Sequence, residues 1–397
     1  MKEVVIVSAA RTAGGRIGGA LKDVQPDDLA VAVIKAAIER AGVEPAAVDE
    51  VIIGQAKQSA DAANLARVAA LRAGLPVDVP AYTVMRQCGS GLQAVNNGAQ
   101  AIMCGLADIV VAGGTESMSN APYYLRDARF GYGAGNALLV DSNTESQPRS
   151  QPYEVYGELT MGLTAENVAT KYGISRQEQD CFALASQEKA LAAIKAGRFT
   201  DEIVPMEVPQ RRGYPAVFSV DEHPRETSLE ALAALPPVFK KDGTVTAGNS
   251  SGRNDGAACL VLMSGDEARR RGIMPLAAIS SQAVAAVPPE LKGIGPAPAS
   301  RKALAAAGLT LRDVGLVELN EAFAAQSLGV IKELGLEESR VNVNGGAIAL
   351  GHPLGCSGAR ILTTLLYEMR RRGTRYGLAT LCIAGGQGIA TVIEAAV

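Results

Sequence analysis

Three features of the sequence predict an α/β fold made from two similar halves. Strand-like apolar runs alternate with helical ones, two internal echoes recur in the same order, and glycine is abundant while aromatics are scarce. The chain has 397 residues with 43 glycines, ten tyrosines, six phenylalanines and no tryptophan. Such a composition suits tight turns and close backbone approaches more than aromatic packing.

Residues 4–7 form a short continuous apolar run, as in a buried strand. Residues 29–41 follow with helical spacing, and Gly42 stops them. Residues 51–53 are the next strand. The stretch AGVEPAAVDEVIIGQA, ending at Ala56, aligns without gaps to AGLTLRDVGLVELNEA, ending at Ala322. CGSGLQA at Cys88 is echoed by GCSGARI at Gly355. Each of these opens a helical segment and leads to a strand ending in Ala-Gly-Gly, at residues 112–114 and 384–386. Two copies of one α/β unit account for this order.

The texture changes between the copies. Residues 120–246 hold Pro-, Gln-, Ser- and Tyr-rich stretches such as SNTESQPRSQPYEVYG, interrupted by a helical segment at residues 175–196. We assign residues 1–119 with 247–270 to the first half, 120–246 to an inserted loop domain that binds substrate, and 271–397 to the second half. Long insertions of this kind commonly carry binding functions.

Charge and composition narrow the function. The formal net charge is −3, and the one dense basic run, Arg370 to Arg372, precedes Gly373 at an expected helix C-terminus. No nucleic-acid-binding face is indicated. No CxxC spacing is present, so paired metal ligation is not expected. The start, MKEVVIVSAA, lacks the pattern of an export signal, and the apolar stretch at residues 378–397 is broken by glycines and Glu394. A reducing, cytoplasmic setting without membrane contact is the expectation.

Cys88, in MRQCGSGLQAV, sits between a strand-like run and a helical pattern, and Gly89 and Gly91 permit a tight turn. A helix N-terminus favours a thiolate there, and the competing reading is a buried packing cysteine. His352, one of only two histidines, lies in NGGAIALGHPLGCSGAR, where it can serve as base to a cysteine nucleophile. Cys382, in LCIAGGQGIA, lies at the end of the last expected strand, before glycines whose backbone N–H groups can converge on an oxygen. Cys104, Cys181, Cys259 and Cys356 are expected to be packing residues.

These three stretches resemble the three signature motifs of the thiolase family. ELNEAFAAQ with Asn320, GTVTAGNSSGRNDGAA at residues 243–258 and TMGLTAENVA from Thr160 match further family motifs, in order along nearly the whole chain. The resemblance implies a five-layered αβαβα fold of two halves with a loop domain inserted in the first. It implies a ping-pong Claisen condensation of two acyl-CoA molecules, acetyl-CoA giving acetoacetyl-CoA, and its reversal. Cys88 then carries the acyl group, His352 activates it, and Cys382 takes the α-proton of the second acetyl-CoA. One oxyanion site is implied at His352 and Asn320, another at the backbone N–H groups of Cys88 and Ala384. Ser251, Ala247, Met161, Phe239 and Phe323 are implied contacts of the substrate. Coenzyme A is implied as substrate and product, no tightly bound cofactor or metal is implied, and a homodimer or homotetramer is expected.

The sequence departs from the family pattern at Met85, Thr160, Lys292 and Ala384, where Asn, His, Met and Gly are common. The first three bear on the acyl group that is accepted. A buried ammonium at Lys292 is costly if unpaired, and the alternative is a packed stem with its head in water. A broader-chain 3-ketoacyl-CoA thiolase is therefore the second reading. A ketoacyl synthase, with Cys-His-His chemistry, is disfavoured because the other histidine, His223, lies in the insertion. An inert acyl-CoA carrier has no need of both Cys382 and His352. A nucleotide-dependent oxidoreductase has only AGGRIGGAL, without the full glycine spacing.

Overall fold

The computed structural model describes residues 1–210 and 213–396. Nine strands build the scaffold: β1 (Val4–Thr12), β2 (Glu50–Gly54), β3 (Ala81–Val84), β4 (Ile109–Ser117), β5 (Asn254–Ser264), β6 (Ala277–Ala286), β7 (Leu316–Leu319), β8 (Tyr376–Ile383) and β9 (Gln387–Ala395). Eight helices carry the layers: α1 (Pro26–Ala41), α2 (Leu65–Ala73), α3 (Ser90–Met103), α4 (Met161–Tyr172), α5 (Arg176–Lys195), α6 (Pro296–Ala307), α7 (Ala324–Leu334) and α8 (Leu354–Arg372).

The duplication expected from the echoes is visible in the strand order. The first half runs β3-β2-β4-β5-β1 and the second β7-β8-β9-β6. The first half pairs β2 in parallel with both β3 and β4, the second pairs β7 in parallel with β8, and the other neighbours are antiparallel. Even the irregularity recurs: the register shifts between Ile6 and Ser8 and again between Ile279 and Ser281. At each bulge a serine hydroxyl donates to a helix carbonyl, Ser8 to Ala37 at 2.6 Å and Ser281 to Ala303 at 2.7 Å. A bulge re-aims one side chain, and here both aim a hydroxyl at the covering helix.

Period-two alternation divides the core into layers. Val51 and Ile53 face α1 and α2, whereas Ile52 faces the space between the halves. In β8, Ala379, Leu381 and Ile383 point to that central space, while Leu378 and Cys382 point outward to α6 and α7. Helices α3 and α8 fill the centre and touch both halves. The layers are thus helix, sheet, helix, sheet, helix. The sheets join at one edge through Val5–Ala278 and Ile6–Ala277.

The helix ends follow the sequence signals. Pro26 opens α1 with Asp27 and Asp28 in its first turn, and Gly42 closes it at φ 61. Ser175 and Glu178 form a capping box on α5. Gly373 closes α8 at φ 63, behind Arg371 and Arg372, which both pair with Glu368.

Between Ser117 and Asn254 the chain runs outside the main strands, returning to the sheet where Ile203 and Val204 pair in parallel with Arg11 and Thr12 of β1. A buried cluster ties this excursion back to it: Arg11 of β1 bonds Glu202 at 2.6 Å and meets Asp221 through both terminal nitrogens, at 2.8 and 2.9 Å. Among the described residues no helix is long and apolar enough to cross a membrane.

Candidate active site

The turn between β3 and α3 presents Cys88. Gln87 takes φ 46, a strained value for a residue with a side chain, and so turns the chain sharply. The Ser90 hydroxyl stabilises the turn, donating to Gln87 O at 2.7 Å and accepting from Arg86 N at 2.8 Å. A Cβ on Gly89 would stand 2.6 Å from Ile383 Cδ1, so glycine lets this turn reach β8.

His352 lies just before α8. Gly351, at φ 92, backs onto Asn254, whose Oδ1 accepts the His352 backbone N–H at 3.0 Å. The ring contacts are informative. Ser357 Oγ is 2.6 Å from Nδ1 and 2.8 Å from Pro353 O, which accepts its only proton. Ser357 must therefore accept from Nδ1–H, and this assigns the unprotonated position to Nε2. Asn320 Nδ2 stands 3.5 Å from Nε2, and Asn320 Oδ1 is buried without a protein partner.

Asn320 follows β7, with its N–H bonded to Thr380 O at 3.0 Å. The neighbouring Glu321 fixes the loop that leads to His352. It accepts from Ile348 N, from Asn342 Nδ2 and from Ser186 of α5. Cys382 ends β8, fully buried, opposite Gly388 of β9. Ala384, Gly385 and Gly386 then turn the chain, the two glycines at φ 85 and 83. The backbone N–H groups of Ala384 and Cys88 both hold the Cys88 thiol down, against the effect of burial.

Cys88, His352 and Ala384 line one cavity together with Met161, Phe323, Ser251, Phe239 and Lys292. Phe239 meets Phe323 edge-on, with centroids 5.9 Å apart. Ser251 is bound to Ala322 O through both N–H and hydroxyl. Ala247 does not belong to this wall: it is exposed, because the turn carrying it points its side chain to solvent while Thr246 and Asn249 bond inward. His223 packs against Gly252 at the rim.

One expectation about cysteines is corrected. Cys259 and Cys356 are buried, but Cys104 and Cys181 are exposed, one at the end of α3 and the other on the outer face of α5. At Cys88 burial opposes the helix N-terminus. Burial pushes the thiol up, and the strongest opposing influence is the nearby Lys292. His352 is driven down to about 3, first by burial, then by Lys292 and Arg360. It is a neutral imidazole over the physiological range. Lys292 itself is 2% exposed, so its head does not reach water.

Several site residues escaped the sequence reading. Gln87, Lys57, Asn143, Ser146, Gln147 and Ser150 form a polar wall beside Cys88. Their contributing segments lie far apart in the chain, so no local spacing marks them. Ser357 was legible in principle, one turn into the helix that follows His352.

Comparisons with known proteins agree in extent. The family model described as thiolase, N-terminal domain, matches residues 4–266, and thiolase, C-terminal domain, matches residues 273–395. The chain is 54% identical over 394 residues to an acetyl-CoA acetyltransferase of Pseudomonas aeruginosa, covering 99% of each chain. It is 55% identical over 393 residues to one of Chromobacterium violaceum, again covering 99% of each. Among solved structures, the acetyl-CoA acetyltransferase of Bacillus anthracis superposes with a TM-score of 0.96 at 50% identity, over 100% of this chain and 99% of that one. Human mitochondrial 3-ketoacyl-CoA thiolase in complex with CoA superposes with a TM-score of 0.95 at 48% identity, over 100% and 98%.

Proposed function

Because the chain belongs to the thiolase family, we propose that it is an acetyl-CoA acetyltransferase working through an acyl-Cys88 thioester. It condenses two acetyl-CoA molecules to acetoacetyl-CoA and CoA, reversibly. The observation that carries the residue roles is the convergence, in one buried corner, of two sulfurs, a neutral imidazole and paired backbone donors from both halves.

In the first stage the Cys88 sulfur attacks the thioester carbon and CoA leaves. A thiolate is a soft nucleophile and a thioester a good acceptor. His352 Nε2 takes the Cys88 proton as the thiol attacks; the N–H groups of Cys88 and Ala384 receive the carbonyl oxygen of the acyl group on Cys88, and the Nε2–H so formed receives, with Asn320, that of the second thioester. Fixed donors of this sort each contribute about 3 kcal/mol of transition-state stabilisation. Cys382 takes the α-proton of the second acetyl-CoA, and the carbanion attacks the acyl-Cys88 thioester. Met161, Phe239, Phe323 and Ser251 hold the pantetheine arm; the exposed Ala247 contributes through its backbone only. Coenzyme A enters and leaves as substrate and product, with no tightly held cofactor.

The protein works in the cytoplasm as a homodimer or homotetramer. The strand β3 has an unpaired edge beside Cys88, with Met85 56% exposed, which supports pairing with a second copy.

Incubation with acetoacetyl-CoA and CoA, followed by mass spectrometry of acetyl-CoA, tests the function. Turnover is expected in the wild type and none in Cys88→Ala. Absence of turnover, or equal turnover in the variant, rejects it. A chain-length series then decides against the broader 3-ketoacyl-CoA thiolase, for which longer substrates are turned over at least as fast.

A further inference from the structure

Lys292 is an ammonium buried at the reacting centre. It is 2% exposed and lines the same cavity as Cys88, His352 and Ala384. It sits on the short turn Pro289–Ile294, which is locked to the Ala384 loop. Val287 N bonds Gly386 O at 2.7 Å, and a Cβ on Gly388 would stand 2.0 Å from Gly295 C. Its Nζ lies 5.8 Å from the Phe323 ring centroid, over the face that closes the cavity.

A buried ammonium needs a counter-charge. No carboxylate among the described residues supplies one. The groups whose charge acts on Lys292 are Cys382 and Cys88, and its turn packs against β8, the strand that carries Cys382. The elements packed against its turn are α4, α6, α7, β8 and β9, and the only titratable group they present to it is Cys382; Cys88 and His352 face it from the α3 and α8 turns.

Resting on the thiolase reading, we propose that Lys292 is the fixed cation for a single negative charge passed between Cys88 and Cys382 during the reaction. The protons and electrons balance. Cys88 thiolate bonds to the acetyl carbon and the C–S bond to CoA breaks, the sulfur of CoA keeping the pair. Cys382 protonates that sulfur, CoA departs as a thiol, and the charge now rests on Cys382. Cys382 thiolate then takes the α-proton of the second acetyl-CoA. The carbanion bonds to the acetyl carbon, and Cys88 leaves as thiolate. One thiolate exists at every stable stage, and one ammonium faces both positions.

Alkylation tests this without requiring turnover. Iodoacetamide modification of Cys88 is followed by mass spectrometry from pH 6 to 9, with exposed Cys104 as internal control. Below the thiol's midpoint the rate tracks the thiolate fraction, which changes tenfold per pH unit. Lys292→Met and Lys292→Gln are expected to slow Cys88 about tenfold at each pH and leave Cys104 unchanged. Lys292→Arg is expected to restore most of the rate. Equal rates in wild type and Lys292→Met overturn the proposal. So does equal slowing in Met, Gln and Arg variants, which marks a role in packing. If Cys104 changes in step with Cys88, the effect is a general loosening and the proposal also fails. Should the charge role hold while turnover is absent, only the functional reading falls.

Discussion

At the scale of single residues, the site separates its chemistry between two sulfurs of different exposure. Cys88 is reached from the cavity, whereas Cys382 is fully buried behind it. Removing Cys382 should slow the first stage, where it protonates the departing CoA, and block the second. Cys382→Ala mixed with acetyl-CoA is therefore expected to accumulate acetylated Cys88, seen as a stable mass increase on the peptide containing it, with no acetoacetyl-CoA formed. Absence of acetyl-Cys88 in that variant would make proton delivery by Cys382 indispensable to acylation. The sequence pointed to Cys88, His352, Cys382 and Asn320 because each stands in a compact motif. It could not show how far burial raises the Cys88 thiol, since that burial depends on β8 and the Pro289–Ile294 turn, which are distant in the chain. For the same reason it could not choose between a buried and a solvated Lys292.

At the scale of elements, the site exists because α3 and α8 cross without side chains between them. A Cβ on Gly91 would lie 2.7 Å from Gly355 O, and one on Gly114 of β4 only 2.0 Å from the same oxygen. Gly114→Ala must push α8 off its sheet. It should cost about 1–3 kcal/mol, read as a lowered denaturant midpoint, with loss of turnover as His352 shifts. A second test concerns β7. Burial raises Glu318 to about 8, only partly offset by Arg360. A carboxyl raised in the folded state stabilises fully below its unfolded value, near 4.5, and loses that contribution as pH climbs through about 8. Thermal stability should therefore fall between pH 5 and 8. Glu318→Gln should flatten that slope, and an unchanged slope would assign it to other groups. The strand and helix echoes were readable because identical turns need similar residues. The repeated bulge was not, since Ile6-Val7-Ser8 and Ile279-Ser280-Ser281 share only an isoleucine and a serine two residues on, too little to mark a bulge.

At the scale of the whole molecule, the excursion between β4 and β5 is fastened by charge. Arg11 is enclosed by Glu202 and Asp221, both 1% exposed in their side chains. Cutting Arg11 back to Met strands two buried carboxylates and should cost about 3–5 kcal/mol, visible in the unfolding transition. Conversion of all three to apolar residues of like volume should recover much of that loss. The layered plan was foreseeable from the order of strands and helices. The path of the excursion was not, because its Pro- and Gln-rich stretches carry no regular period, and its polar wall against Cys88 forms only when it folds back.

The glycine crossing of α3 and α8 also bears on how such a protein can diversify. A tight contact between two large side chains can drift, one shrinking as the other grows. Here both partners are already at the smallest size available, so neither can yield to the other. The hub is closed to gradual change in either copy of the duplicated unit. New preferences must be written into the walls, at places such as Met85, Thr160 and Lys292, while the centre is inherited unaltered.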